Sequence, residues 1–260
     1  MGYIEFEVAS GAGLLRFSGP KSLNALSSDA IEESLKFFEG LAKRATPDAE
    51  RDMCALVLTG TGKAFIAGAD LGEMVKMGPL EAKEFSDKGS KLMAEIERFP
   101  LPVIVAMNGY ALGGGLELAL AADFIYASSD ARVGFPEVTL GLLPGFGGIT
   151  RLSRRIGFSK AKELIFTGRV LDARAALDAG VIDQVFSPSE LMPAVMETVA
   201  AIASAGRWAV RGAKELAGRL IQHDSSHFVH EAESFGALFS RDEPIEGMKA
   251  FLEKRKPNWK

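Results

Sequence analysis

Cysteine is almost absent. Cys54 is the only one in 260 residues, so no intramolecular disulfide can form and an oxidising compartment is not indicated. It stands in the apolar run Met53 to Leu58, which reads as a buried strand and not as the setting of a catalytic thiol. Histidine is scarce too: His223, His227 and His230 are all there are. No H-E-x-x-H occurs, and Asp224-Ser225-Ser226 stands among them, so they read as an exposed helix face and no metal site is expected. The phosphate-cradling motifs are missing. G-x-x-x-x-G-K-[ST] does not occur, and the spacing G-x-G-x-x-G fails at Leu118 after Gly113 and at Thr150 after Gly145.

A surplus of positive charge is lacking as well. The formal net charge is −4, so no basic field covers the surface and nucleic acid is not an expected partner. Two local basic clusters, Arg151 to Arg155 and Lys254 to Lys256, fit either a phosphate contact or a solvated helix face. The long uncharged stretch Phe99 to Leu116 is broken by Pro102, Asn108 and four glycines, which excludes a membrane span. The N-terminus, Met1 to Glu7, is acidic and alternating, hence a strand and not a signal peptide; position 6 lacks the Ser or Thr of a myristoylation signal. A cytoplasmic protein is the expectation.

What is present is ordinary globular material: 47% hydrophobic and 25% charged residues, enough for one large domain or two smaller ones. Residues 3–9 and 13–18 read as a hairpin turned at Gly11. A helix over 29–44, capped by Ser27 or Ser28, precedes a polar linker at 45–52. Strands are expected at 54–59, 103–107 and 124–127, and helices at 80–98 and 114–122. Residues 63–69 pass through small side chains into a helical start at Asp70; 131–138 is a short extended segment carrying Glu137, at the start of a loop. A glycine-rich loop, 141–148, leads into a helix near Ile149, and helices follow at 159–166, 172–178 and 189–203. From 207 to 254 the pattern is helical with breaks, and its aromatics read as a packing stripe or subunit contact. Alternation first and helices afterwards predict an α/β core with a helical C-terminal part.

The stretch Val103 to Asp123 organises this chain. A β-branched run is followed by Gly113-Gly114-Gly115 and an Ala/Leu-rich helix. Glycine lets a ligand approach the backbone, and a helix N-terminus presents free N–H groups to a developing anion. Gly68-Ala69-Asp70 is a second small-residue turn opening a helix. The Ala69 and Gly114 amides fit an oxyanion hole; equally, both turns fit plain helix starts, with Asp70 a cap. Glu117 is the only charged side chain between Arg98 and Asp123, and Glu137 is a second carboxylate in an apolar, glycine-rich neighbourhood. Two such groups fit an acid–base pair, or a buried carboxylate and a loop glutamate.

Several long motifs, in order, resemble the enoyl-CoA hydratase/isomerase (crotonase) family, and enoyl-CoA hydratases most of all. They are Leu23-Asn24-Ala25-Leu26, Lys63 to Leu71, Pro102 through Gly113-Gly114-Gly115-Leu116-Glu117-Leu118-Ala119, Phe135-Pro136-Glu137, Gly141 to Gly148, Phe166-Thr167-Gly168-Arg169 and Phe251 to Lys256. The resemblance implies a crotonase spiral of ββα units over 1–200, a helical region over 201–260, and a homo-trimer or a hexamer built as a dimer of trimers. It implies an acyl-CoA substrate whose thioester oxygen accepts hydrogen bonds from the Ala69 and Gly114 amides. Glu117 and Glu137 match the two glutamates of family hydratases, with Glu117 the base that orients water and Glu137 the protonated partner. No metal or redox cofactor is implied, coenzyme A being part of the substrate. The nucleotide is expected near the 21–25 loop and the 67–72 turn, which brings in Lys21, Ala25, Ala67, Asp70, Leu71 and Gly72; Gly145 and Lys254 are further binding candidates. The segment Phe251 to Lys256 is expected to complete a neighbour's pocket. Gly72 stands where many relatives carry lysine, and residues 73–84 lie in a region that varies across the family and shapes the acyl pocket.

Overall fold

Ser10 and Gly11 both adopt positive φ, 51° and 81°. That two-residue turn matches the twist of the strands it joins, β1 (Ile4–Ala9) and β2 (Ala12–Phe17), and sets their antiparallel register with Ala9 opposite Ala12. The structure, a computed structural model, describes residues 2–19, 23–44, 53–219, 226–240 and 242–258; the linker 45–52, Lys21 and the side chains of all three histidines fall outside it.

After α1 (Ser28–Arg44), capped by Ser27 Oγ accepting from the Ala30 amide at 3.2 Å, a unit repeats. Its first copy is β3 (Ala55–Gly60), β4 (Ala64–Ile66), the single turn α2 (Leu71–Met74) and α3 (Pro79–Glu97). The second is β5 (Val103–Met107), β6 (Tyr110–Leu112) and α4 (Gly114–Leu120); the third is β7 (Phe124–Ser128), β8 (Arg132–Gly134), the 3-10 turn Pro136–Leu140 and α5 (Gly148–Ile156). In each copy the first strand joins one sheet and the second strand joins another. Then follow α6 (Phe158–Thr167), β9 (Val170–Asp172), α7 (Ala173–Ala179), β10 (Gln184–Phe186), α8 (Leu191–Ala203), α9 (Arg207–Arg219), α10 (Ser226–Leu238) and α11 (Asp242–Leu252). The larger sheet has the order β1-β2-β3-β5-β7-β10 and is parallel except for β1; the smaller is β4-β6-β8-β9, with β9 antiparallel. The expected α/β spiral of ββα units is therefore what the chain forms.

Parallel strands covered on both faces carry apolar residues throughout, and β5 is buried at every position. Alternate residues serve opposite layers. Leu56, Leu58, Val103 and Val105 enter the main core under α1 and α3, while Ala55, Val57, Ile104 and Ala106 pack against Val195 and Val199 of α8. The strands β6, β9 and β10 were not expected. Each is three residues long, too short for alternation to register. Glu137 opens the 3-10 turn and not a loop. The C-terminal helices fold back on their own chain: α10 packs along α3, and α11 against the 3-10 turn and α2. Among the described residues no helix is long and apolar enough to cross a membrane.

Candidate active site

The chain turns from β6 into α4 at Gly113, whose φ of 50° a β-carbon would strain. The same β-carbon would stand 2.7 Å from Glu137 Oε1, so the carboxylate lies over the bare backbone there. A β-carbon on Gly115 would come within 2.0 Å of the Ile66 carbonyl; its absence lets α4 seat directly against β4. The glycine triplet thus does three separate things, and the middle residue, Gly114, lines a cavity.

Ala69 arrives at that cavity by a different route. Residues 23–26 run alongside 67–70, joined by bonds from Ala67 N to Leu23 O, Leu26 N to Gly68 O and Asp70 N to Leu26 O, each 2.9 Å. Asn24, 3% exposed, holds this pair of segments in place. Its Oδ1 accepts from Gly19 N at 3.0 Å, and its Nδ2 donates to the carbonyls of Thr61, Ala64 and Phe65 at 3.0, 2.9 and 3.1 Å. The asparagine belongs to the Leu23-Asn24-Ala25-Leu26 motif, but its part in supporting the 67–70 turn was not foreseen. Asp70 caps α2, its Oδ1 accepting from Gly72 N at 2.8 Å and Glu73 N at 3.2 Å. Among the described residues neither the Ala69 nor the Gly114 amide donates to another protein group.

A cavity of about 220 Å³ gathers the principal candidates: Ala69, Gly114, Glu117 and Glu137 all line it, with Ala67, Leu71 and Gly145. Ala25, Asp70, Gly72 and Lys254 do not line it; Lys254 stands exposed beyond α11. Apolar walls come from Met74 and Phe85 on one side and, unforeseen, from Phe235 of α10 and Phe251 of α11. Phe251 lines the cavity of its own chain. In sequence Phe235 fits a packing stripe or a subunit contact, because a helical stripe does not say which cavity it closes.

Glu117 is 2% exposed. Its Oε1 accepts from Phe146 N at 2.8 Å and from Gly148 N, at the start of α5, at 2.7 Å. A β-carbon on Gly148 would come within 2.7 Å of the same oxygen, so the helix start must be glycine for the carboxylate to sit there. Burial pushes the Glu117 carboxyl up to about 7; the Phe146 and Gly148 amides and the Arg151 guanidinium pull the other way. A carboxyl balanced near neutrality can exchange a proton in either direction at physiological pH. The arrangement thus has two carboxylates and two uncommitted amides on one apolar cavity.

The chain matches the family model described as enoyl-CoA hydratase/isomerase over residues 7–260. It is 43% identical over 239 residues to the short-chain-enoyl-CoA hydratase of Clostridium acetobutylicum, covering 91% of this chain and 89% of that one. It is 41% identical over 248 residues to the crotonyl-CoA hydratase of Syntrophomonas wolfei, covering 95% and 93%. In structure it resembles the enoyl-CoA hydratase of Bacillus anthracis, with a TM-score of 0.79 at 36% identity over 99% of each chain.

Proposed function

Because this chain belongs to the enoyl-CoA hydratase/isomerase family, we propose that it works as an enoyl-CoA hydratase, adding water reversibly to a trans-2-enoyl-CoA to give a 3-hydroxyacyl-CoA. The observation that carries the proposal is that Glu117 and Glu137 share one cavity with the amides of Ala69 and Gly114. The thioester oxygen accepts from those two amides, which stabilise the enolate-like charge that develops as a nucleophile adds at Cβ. Glu117, ionised, takes a proton from water as the hydroxide oxygen bonds to Cβ. The electron pair of the Cα=Cβ bond moves toward the thioester, and Glu137, protonated, supplies the proton that completes Cα. One water is consumed, its proton leaves on Glu117, and Glu137 is reprotonated before the next turnover. Polarisation and proton transfer both come from groups of the chain, so no metal or redox cofactor is called for.

Ala67, Leu71 and Gly145 are the positions on the cavity wall suited to contact acyl-CoA. We assign catalysis to the 1–200 core and the cover of the acyl end to the 201–260 helices, in support of which Phe235 and Phe251 reach the cavity. Assembly as a homo-trimer or hexamer, in the cytoplasm, belongs to the same reading. Phe158, Phe166 and Trp208, 72%, 73% and 69% exposed, are apolar surface that an interface would cover.

The test is a kinetic panel of acyl-CoAs varying in chain length and double-bond position. Loss of the conjugated enone absorbance with crotonyl-CoA is the expected result; faster turnover of 3-enoyl than of 2-enoyl substrates would replace the hydratase by an isomerase. The pH profile carries a sign. Glu117 must be ionised to accept the proton, so kcat/KM on crotonyl-CoA should fall as pH drops through about 7, the position of its carboxyl. A rate flat from about pH 8 to 5 would exclude Glu117 as the base.

A further inference from the structure

Arg151 belongs to a basic cluster that in sequence fits either a phosphate contact or a solvated helix face, yet it is 5% exposed. It lies on α5, one turn beyond the amides that hold Glu117. Its Nε donates to Glu97 Oε1 at 2.8 Å and its Nη2 to Glu97 Oε2 at 2.9 Å, a two-pronged pair with the end of α3. Its Nη1 donates to the Phe146 carbonyl at 2.7 Å, while the Phe146 amide donates to Glu117 at 2.8 Å. One peptide neighbourhood is therefore gripped from behind by the guanidinium and presents its front to the carboxylate. The preceding residue is gripped too: the Gly145 carbonyl accepts from Ser86 Oγ and, at 3.4 Å, from Ser90 Oγ, both on α3.

We propose that the Glu97–Arg151 pair is a positioning device for Glu117, locking the 145–148 loop to α3 so that its amides aim the carboxylate at the cavity, and setting the charge the carboxylate feels. This rests on the hydratase reading for its effect on turnover but not for its effect on the carboxyl. The helices packed against α4 carry other charged groups, of which Arg154 of α5 and Glu81 and Glu84 of α3 are exposed and Glu95 of α3 is half-buried. Glu137 comes from the 3-10 turn, Arg155 of α5 is turned away to Asp183 at 2.7 Å, and Lys83, Lys88 and Lys91 of α3 pair with Asp87, Glu32 and Glu39. The strands β4 and β6 contribute none. An ion pair beside a buried carboxyl has opposite effects when either half is neutralised. Loss of the cation exposes Glu117 to the Glu97 charge and favours the protonated form; loss of the anion leaves Arg151 uncompensated and favours the ionised form.

The experiment is a carbon-13 NMR titration of the Glu117 carboxyl, assigned through Glu117→Gln, in the full-length protein and in Arg151→Gln, Glu97→Gln and Arg151→Lys. The Glu117 midpoint should rise by about one unit in Arg151→Gln, fall by a similar amount in Glu97→Gln, and move little in Arg151→Lys, which keeps the charge. With crotonyl-CoA above the Glu117 midpoint, Arg151→Gln and Arg151→Lys should each lose about 10- to 100-fold in kcat with KM changed less than about threefold, since both lose the fork that fixes the loop. If Arg151→Gln does not fold, the Glu97→Gln and Arg151→Lys midpoints still decide. Midpoints that stay put, or move in the same direction in the two neutralised variants, would reduce the pair to a structural tie and overturn the proposal. A wild-type protein that consumes no enoyl-CoA would remove the hydratase reading alone, because the titration needs no turnover.

Discussion

Replacing Glu117 by Gln is expected to lower turnover of a 2-enoyl-CoA by at least about 100-fold and, at the same time, to raise the melting temperature at about pH 8. The first effect follows from losing the carboxylate proposed to take the proton from water. The second follows from the buried charge. In the unfolded chain the carboxyl titrates near 4.5; in the fold it titrates near 7. Below about pH 4.5 it is protonated in both states and its burial is unopposed. As pH rises toward 7 the unfolded chain releases the proton first, and that stability is lost; above 7 the folded protein holds a charge it would rather not bury. The shift from 4.5 to about 7 corresponds to about 3 kcal/mol. Gln keeps a carbonyl oxygen for the Phe146 and Gly148 amides and removes that cost. The variant's stability gain should therefore appear at about pH 8 and shrink at about pH 4, read by thermal unfolding at both. Glu137→Gln should show a comparable kinetic loss. Near-normal turnover in either variant would end its assignment, and a stability gain of Glu117→Gln over the parent that is no larger at pH 8 than at pH 4 would mean that the carboxyl is not held near neutrality.

The parts of this molecule legible in its sequence are those whose physics is local. The Ser10-Gly11 turn, the Asp70 cap, the buried runs of β3 and β5 and the glycine break before α4 all state their structure within a few residues. Glu117 and Glu137 were legible as isolated carboxylates in apolar company, but only the resemblance to a known family joined them across a cavity. What escaped reading depends on long-range contacts. Arg151 sits among Arg154 and Arg155 in a segment that fits a phosphate contact or a solvated face; it is buried where Glu97, 54 positions earlier, and the Phe146 carbonyl accept from its guanidinium. Phe235 lines the cavity because α10 returns to α3, a return that no helical periodicity encodes.

Substituting Gly114 by Pro should reduce kcat on crotonyl-CoA by about 100- to 1,000-fold, the effect of deleting one oxyanion donor. The position suits the test. Gly114 is the first residue of α4, where a helix tolerates proline because the N–H there has no partner within the helix. The residue before it, Gly113, carries the positive φ and is left unchanged. Space is the complication. A β-carbon on Gly114 would meet the Phe146 ring at 3.0 and 3.2 Å and Leu26 Cδ1 at 3.5 Å, so any side chain presses on the loop that holds Glu117. Gly114→Ala supplies the control, since it adds the same β-carbon and keeps the amide. If the amide stabilises the enolate, Ala should stay within about tenfold of the parent and Pro should fall well below it, with KM little changed because the missing bond strengthens chiefly in the transition state. Equal kcat in the two variants would mean that crowding against Phe146 accounts for the whole loss, and the thioester oxygen would have to find its donors elsewhere.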